Sequence, residues 1–495
     1  MRVCKTQENI REEESIVSGF ADYPGDQVRA KVRHPIIDSD AHIIECEFVL
    51  NDYVKEIGGA ELMERSRQRG RKGPAFSDNA TKGLWWGAPS GRNTSDRAMA
   101  MLPKYFRSQM DRAGLDFAHM LTTNGIGGLY IPDDELRQVR CRALNTMYAD
   151  MFRDVGDRIR PVAVIPTYTP EEAIRELDHA VLELGHKAVM IGTEIRTPHP
   201  DVAAAAPDLA AHAQKVTSIA MDSPHDYDPF WRRCVELGVA PLCHTSAHGA
   251  RTRNSPTNYV FNHLGSFASG SEYFCRSLFL GGVTNRFPTL KFGFLECGAG
   301  WALTLLNDIV EHWEKRNVRY LQSSLDPDKL DIALMAELFE KFGDARHTAE
   351  RFLQNPHHGL ARPGRPALFD EFGAAGMTEV RDLRRLFCDN FYFGCEADDR
   401  MLSVAFNRRL NPVGATLKAM FGSDIGHWDV MDARSILSEA YNLIQAELIT
   451  EEDFKALTFD NCAEMMLSMN PAYFDGTVIE DAAHAFLRDR TPAAA

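Results

Sequence analysis

The chain is expected to fold as one large (β/α)8 barrel carrying helical and loop insertions. Eight short apolar runs are strung along the sequence with helical patterns between them. Strand-like runs separated by helices imply parallel pairing, and eight of them suggest a closed barrel. Acidic and imidazole side chains also stand at the C-terminal ends of several runs, where barrels of this kind build their active sites.

In chain order the runs are HPIIDSDAH (34–42), FAHMLTT (117–123), RPVAVIP (160–166), KAVMIG (187–192), VAPLCH (239–244), LKFGFLE (290–296), NFYFGCE (390–396) and LKAMFGSD (417–424). Between them, ALNTMYADMFRDV (143–155) and PEEAIRELDHAVLELG (170–185) space apolar residues by three and four, as amphipathic helices do. The second opens on Pro170 with Glu171 and Glu172 near its positive end, and it closes at Gly185. Residues 1–33 read as a polar N-terminal extension, 34–475 as the barrel and 476–495 as a loose C-terminal tail. Two gaps exceed a simple crossover. Residues 46–110, with the aromatic, glycine-rich GLWWGAPSGRNTS (83–95), read as substrate-covering loops, and 303–389 as a helical insertion; oligomer contact or plain surface is the alternative for both.

Composition narrows the function class. The 495 residues are 44% hydrophobic and 25% charged, ordinary for a soluble globular chain. A chain this long buries a core without structural metal, so any metal it binds is functional. A net charge of −15 argues against nucleic acid and against an anionic membrane. No apolar run reaches the roughly 18 residues that span a bilayer. The N-terminus MRVCKTQENIREEES has no apolar signal segment, and the ten scattered cysteines form no CxxC pair, so reduced thiols and a cytoplasmic location are expected.

Four stretches carry chemistry. In IIDSDAHIIE, alternation sends Asp38, Asp40 and His42 to one face, inward in a barrel. Asp40 and His42 then suit a divalent ion, or form a polar strand end with a chance histidine. In APLCHTSAHG, His244 ends a buried run, as a ligand or as a histidine bonded to a backbone carbonyl; His248 lies in the loop beyond. In MFGSDIGHWD, Asp424 ends the last run and His427 follows by three. Asp424 can bind metal and exchange a proton with water, or cap a helix. In RFPTLKFGFLECGAGW, Glu296 ends the sixth run by the alternation Phe292, Phe294, Glu296, to bind metal, pair with a base or act as acid or base. A salt bridge to Arg251 or Arg286 is its alternative use. Glu45 reads as a supporting residue or a further ligand, and His263 as a residue reaching the site or a satisfied histidine. Arg251 and Arg253 meet an anionic substrate or simply face solvent. Lys187 precedes its strand and stands at the wrong end to bridge metals.

Taken in barrel order, AGLDFAHMLTT, RIRPVAVIP, LGHKAVMIG, DPFWRRCVELGVAPLCHTS, RFPTLKFGFLECGAGW, FGSDIGHWD and FDNCAEMM resemble the amidohydrolase-2 family of the amidohydrolase superfamily. Its best-known members are aminocarboxymuconate-semialdehyde decarboxylases and related aromatic-acid decarboxylases and hydrolases. The resemblance spans residues 36–470 and implies a TIM barrel. It implies a metal held by Asp40, His42, His244 and Asp424. Two departures stand out: Asp-x-His where many members have His-x-His, and Glu296 where many have a histidine. A carboxylate at that position makes Glu296 a fifth ligand able to bridge two ions, so one or two divalent ions (Zn, Fe or Mn) are expected. The pattern is also similar to a branch that hydrolyses acyl thioesters with two irons.

The expected activity is therefore a metal-dependent hydrolase attacking an ester, thioester or amide carbonyl with metal-activated water, with Asp424, His427 and Glu296 catalytic. The alternative is a cofactor-free, metal-dependent decarboxylase or hydratase of an aromatic or unsaturated carboxylic acid. A non-catalytic binding protein is disfavoured by the intact ligand set. A small carboxylic acid derivative as substrate and a homo-oligomeric state complete the expectation.

Overall fold

A computed structural model describes residues 23–72, 87–245, 255–357 and 366–490. Among the described residues ten strands form, in chain order: β1 (Ile37–Ile43), β2 (Phe117–Thr122), β3 (Ile159–Val164), β4 (Ala188–Gly192), β5 (Ile195–Pro198), β6 (Gln214–Thr217), β7 (Pro241–His244), β8 (Phe292–Phe294), β9 (Phe391–Glu396) and β10 (Lys418–Gly422). Eight make one parallel sheet in the order β1-β2-β3-β4-β7-β8-β9-β10. These are the eight runs read from the sequence. The two ends of the sheet meet through discrete bonds rather than a regular ladder. Ser39 Oγ donates to Phe421 O at 2.7 Å, Asp424 N to Asp40 O at 2.8 Å and His42 N to Ile425 O at 2.9 Å. The barrel thus closes where its first and last strands carry acids and an imidazole.

The helices lie outside this sheet. Asp133 caps the helix Asp134–Met151 by accepting from Leu136 N at 3.1 Å, so that helix begins nine residues before the expected position 143. Thr169 caps the helix Pro170–Asp178 through Glu172 N at 3.1 Å. Gly185, with φ +77°, ends the segment as anticipated, because a left-handed turn is cheap only for glycine.

Several expectations need correction. The stretch read as substrate-covering loops is largely helical: Glu47–Lys72, Thr94–Met101 and Pro103–Ala113. The first of these runs against Asp134–Met151, with Arg140 paired to Glu47 at 2.8 Å and Arg65 to Glu135 at 2.9 Å. Gly59, at φ +84°, interrupts its helical backbone, which breaks the periodicity that would have revealed it. Residues 73–86, including most of GLWWG, lie outside the described residues. The expected loose tail contains a helix, Glu480–Arg490, tied down by Arg490 to Glu464 at 2.6 Å. The described part of the expected extension, residues 23–33, packs as well: Val28 is buried and Gly25 N donates to Arg434 O at 2.7 Å. The antiparallel hairpin β5–β6 was not anticipated, since its flanks are rich in alanine and proline. The described residues of 303–389 include the helices Gly300–Arg316, Ile332–Phe342 and Ala349–Gln354. No helix among the described residues is long and apolar enough to cross a membrane.

Candidate metal centre

β1 delivers Asp38, Asp40 and His42 to the interior, all three buried. Asp38 Oδ1 accepts from Asp40 N at 3.1 Å and Ser423 N at 3.0 Å, which pins the start of β1 to the end of β10. Asp40 then lies against Gly422, where an added Cβ would come within 2.9 Å of the Asp40 Cβ. Only glycine leaves room for the acid there.

His42 is the hub. Its Nε2 is 3.2 Å from Asp40 Oδ1 and 3.5 Å from Asp424 Oδ1. Its ring centroid lies 5.3 Å from that of His244 and 4.1 Å from that of His427. His244 emerges from β7, and its Nδ1 donates to Thr245 O at 2.9 Å. That bond fixes the tautomer and leaves Nε2 a free lone pair facing inward, 3.2 Å from Glu296 Oε2.

Glu296 arrives by a route the sequence does not reveal. β8 ends at Phe294, so Glu296 is not on the extended alternation expected of it. It reaches the rim through a left-handed turn at φ +51°, and Asp424 does the same just past β10 at φ +52°. Non-glycine residues rarely occupy this region.

Asp40 Oδ1, His42 Nε2, His244 Nε2, Glu296 Oε2 and Asp424 Oδ2 are buried and have no hydrogen-bond partner among the described residues. Burial pushes the Asp40 carboxyl up to about 6. Burial, then the neighbouring carboxylates, pushes Glu296 and Asp424 well up. Burial drives His42 and His244 down, so neither imidazole supplies the compensating positive charge. Unpaired buried carboxylates and lone pairs are strongly unfavourable by themselves. An oxygen and nitrogen donor set of this kind suits a divalent ion. Asp40, His42 and His244 bring ligand atoms within 4.8 Å of one another, and so do His42, Glu296, Asp424 and His427. His42 belongs to both groups. The residues present therefore fit a metal.

The surroundings divide into support and wall. Glu45 accepts from Thr122 Oγ1, from the Tyr148 hydroxyl and from Asn124 N at 2.8 Å, so its carboxylate is spent on the scaffold and not on the centre. His427 Nδ1 is 2.7 Å from Asp424 Oδ1, and its Nε2 is 3.2 Å from Thr123 Oγ1. His263 stacks on Tyr259 at 5.2 Å and meets Phe267 at 5.3 Å and Trp428 at 5.7 Å edge-on. Phe267 in turn meets His244 at 5.8 Å. The sequence reading missed this aromatic wall, which forms only where the helices carrying Tyr259, His263 and Phe267 meet Trp428 from the loop after β10. It also missed Glu396, a half-buried acid at the end of β9 that burial and Asp429 push well up. An acid closing the apolar run FYFGCE was the available signal.

Arg286 is not the partner of Glu296, because it grips Asp228 through Nε at 2.8 Å and Nη2 at 2.9 Å. Lys187 donates to Ala472 O at 3.2 Å, at the opposite end of its strand from the centre. His248, Arg251 and Arg253 lie outside the described residues.

The amidohydrolase family model matches residues 37–347. No curated protein matches the chain in sequence. Among solved structures, an amidohydrolase from Mycobacterium avium subsp. paratuberculosis K-10 is 16% identical with a TM-score of 0.50, covering 88% of this chain and all of that one. The 2,6-dihydroxybenzoate decarboxylase from Rhizobium is 15% identical (TM-score 0.46), over 88% of this chain and 99% of that one. The 5-carboxyvanillate decarboxylase from Novosphingobium aromaticivorans DSM 12444, solved with manganese and 4-hydroxy-3-methoxy-5-nitrobenzoic acid, is 15% identical (TM-score 0.48), over 88% and 96%. At such identities the likeness is one of fold.

Proposed function

Because the chain belongs to the amidohydrolase family, we propose that it is a metal-dependent enzyme acting on the carboxyl or acyl carbon of a small organic acid or its derivative. Asp40, His42, His244, Glu296 and Asp424 hold one or two divalent ions. The observation that carries this reading is the convergence of five buried, unpartnered ligand atoms from the ends of β1, β7, β8 and β10. An ion bound there supplies a Lewis acid that neutralises the carboxylates and draws a substrate oxygen to the rim.

Decarboxylation is the reaction this site suits best. The wall of Tyr259, His263, Phe267 and Trp428 beside His244 fits a flat, unsaturated acid rather than a flexible ester chain. As the carbon–carboxylate bond breaks, its electron pair stays on the ring or vinyl carbon, CO2 leaves and one proton must arrive. Asp424 provides that proton. His427 Nδ1 lies 2.7 Å from Asp424 Oδ1, and 17% of its side chain remains exposed, so it reloads Asp424 from solvent. Hydrolysis, the reading first suggested by the acid at position 296, takes second place. Glu296 beside His244 supports it as a base for water, but the aromatic wall has no role in it.

The test is a product assay with metal-replete protein. Hydroxybenzoates and unsaturated dicarboxylates 13C-labelled at the carboxyl should release labelled CO2, while aryl esters and acyl thioesters should stay intact. Acyl cleavage without CO2 makes the enzyme a hydrolase. A protein that retains no metal after loading and dialysis refutes the centre itself.

A further inference from the structure

The helical insertion after the helix Gly300–Arg316 carries an apolar stripe that nothing covers among the described residues. Helix Ile332–Phe342 is locally well specified: Asp331 caps it by accepting from Leu334 N at 2.9 Å. Its inner face, Met335, Ala336 and Phe339, is half-buried, with Phe339 stacked on Phe352 at 4.8 Å. Yet none of its eleven residues is fully buried. On the other side Leu334, Leu338 and Phe342, at i, i+4 and i+8, are 49%, 40% and 72% exposed.

These three side chains leave on the order of 300 Å2 of apolar surface in water. A patch of a few hundred Å2 is as large as a soluble chain commonly exposes, and such patches are often functional. The stripe supplies more than half of the apolar share of the roughly 800 Å2 that each partner contributes to a standard interface.

We propose that this stripe is a dimerisation face, and that its occupant is the same stripe of a second copy of the chain, across a two-fold axis at Leu338. The stripe is self-complementary. Reversing the helix about Leu338 sets the Leu334 of one copy against the Phe342 of the other, the smaller side chain against the larger, and Leu338 against its own mate. Ridges of residues four apart interdigitate at a crossing angle of about −50°. The charges agree. Glu337 and Lys341, both exposed, lie along one edge of the stripe. The same reversal brings the Glu337 of each copy beside the Lys341 of the other. Such a contact closes after two copies and leaves no free apolar face. A lipid surface fits poorly, because Asp326, Asp328 and Asp331 lead into the stripe and the chain carries −15 overall.

The experiment is light scattering and sedimentation on the full-length protein at about 10 µM, with Leu338→Glu and Leu338→Cys variants. Wild type should have twice the 55.5 kDa mass of one chain. Leu338→Glu sets two carboxylates face to face on the axis, so association should weaken at least about 100-fold and give the single-chain mass. Its circular dichroism and metal content should be unchanged, because Leu338 is far from buried. Leu338→Cys should form a covalent dimer under mild oxidation where wild type does not. A monomeric wild type overturns the proposal, whether it floats with phosphatidylcholine/phosphatidylglycerol vesicles or stays free. So does a Leu338→Glu protein that remains dimeric.

Discussion

Glu296 and Asp424 share one unusual backbone state: both sit in the left-handed region, at φ +51° and +52°, and both aim a buried carboxylate at the same histidine-lined space. Each departure from ordinary backbone costs about 1–3 kcal/mol. Each carboxyl is also desolvated, which raises its affinity for a proton. Strain and desolvation together mean that the empty centre destabilises the fold and that a cation reverses the effect.

Chelation should therefore lower thermal stability without unfolding the protein. A ligand at 100 times its Kd adds about 2.7 kcal/mol to the native state. For a domain this large that is a shift of a few degrees in Tm. Calorimetry with a chelator, followed by addition of manganese, should show the loss and the recovery, with helicity unaltered. A Tm insensitive to both additions would mean that the cluster binds no ion.

The strain itself can be isolated. Glu296→Gly and Asp424→Gly supply a residue that tolerates positive φ and also remove a buried acid. Metal-free, each variant should be more stable to urea by about 1 kcal/mol, yet should turn over at least about 100-fold more slowly once loaded. Variants less stable than metal-free wild type would show that the carboxyls are structural.

How much of this was open to sequence reading depends on which contact made it. The eight runs, and His42 and His244 at their ends, were legible because burial alternates along a strand and a polar residue ending an apolar run stands out. Glu296 lies beside His244, but not by the expected alternation, because a two-residue overshoot past β8 through a left-handed turn leaves no trace in apolar spacing. The helix Glu47–Lys72 was hidden by Gly58 and Gly59. The wall of Tyr259, His263, Phe267 and Trp428 exists only in three dimensions.

Stability should also depend on pH away from the centre. Burial, then Asp398, pushes the Glu439 carboxyl up to about 8. An acid whose pKa rises on folding favours the folded state when protonated. That stability is fully present below the unfolded value near 4.5 and is lost as pH rises through about 8. Glu439→Gln should remove this slope. The variant should match wild type near pH 4 and exceed it at pH 8.5 by up to about 5 kcal/mol. Parallel urea midpoints for the two proteins across that window would show that Glu439 is not the titrating group.

The sharpest prediction concerns His427, whose position is compatible with two roles. Its Nδ1 is 2.7 Å from Asp424 and its ring lies against His42, so it falls within the reach of a metal ligand. But Nδ1 already faces Asp424 and Nε2 faces Thr123, so both nitrogens are engaged. Part of its side chain is exposed, as a proton carrier requires and a buried ligand does not. His427→Gln should then keep the full metal complement while kcat falls by about 100-fold to 10,000-fold, the usual worth of a proton-transfer group. KM should change little, because the metal still recruits substrate. The acidic limb of the pH–rate profile should flatten, and a small imidazole added to the assay should restore part of the rate. His42→Ala in parallel should lose both metal and activity. If His427→Gln loses its metal as His42→Ala does, His427 is a ligand and the proton reaches Asp424 by another path.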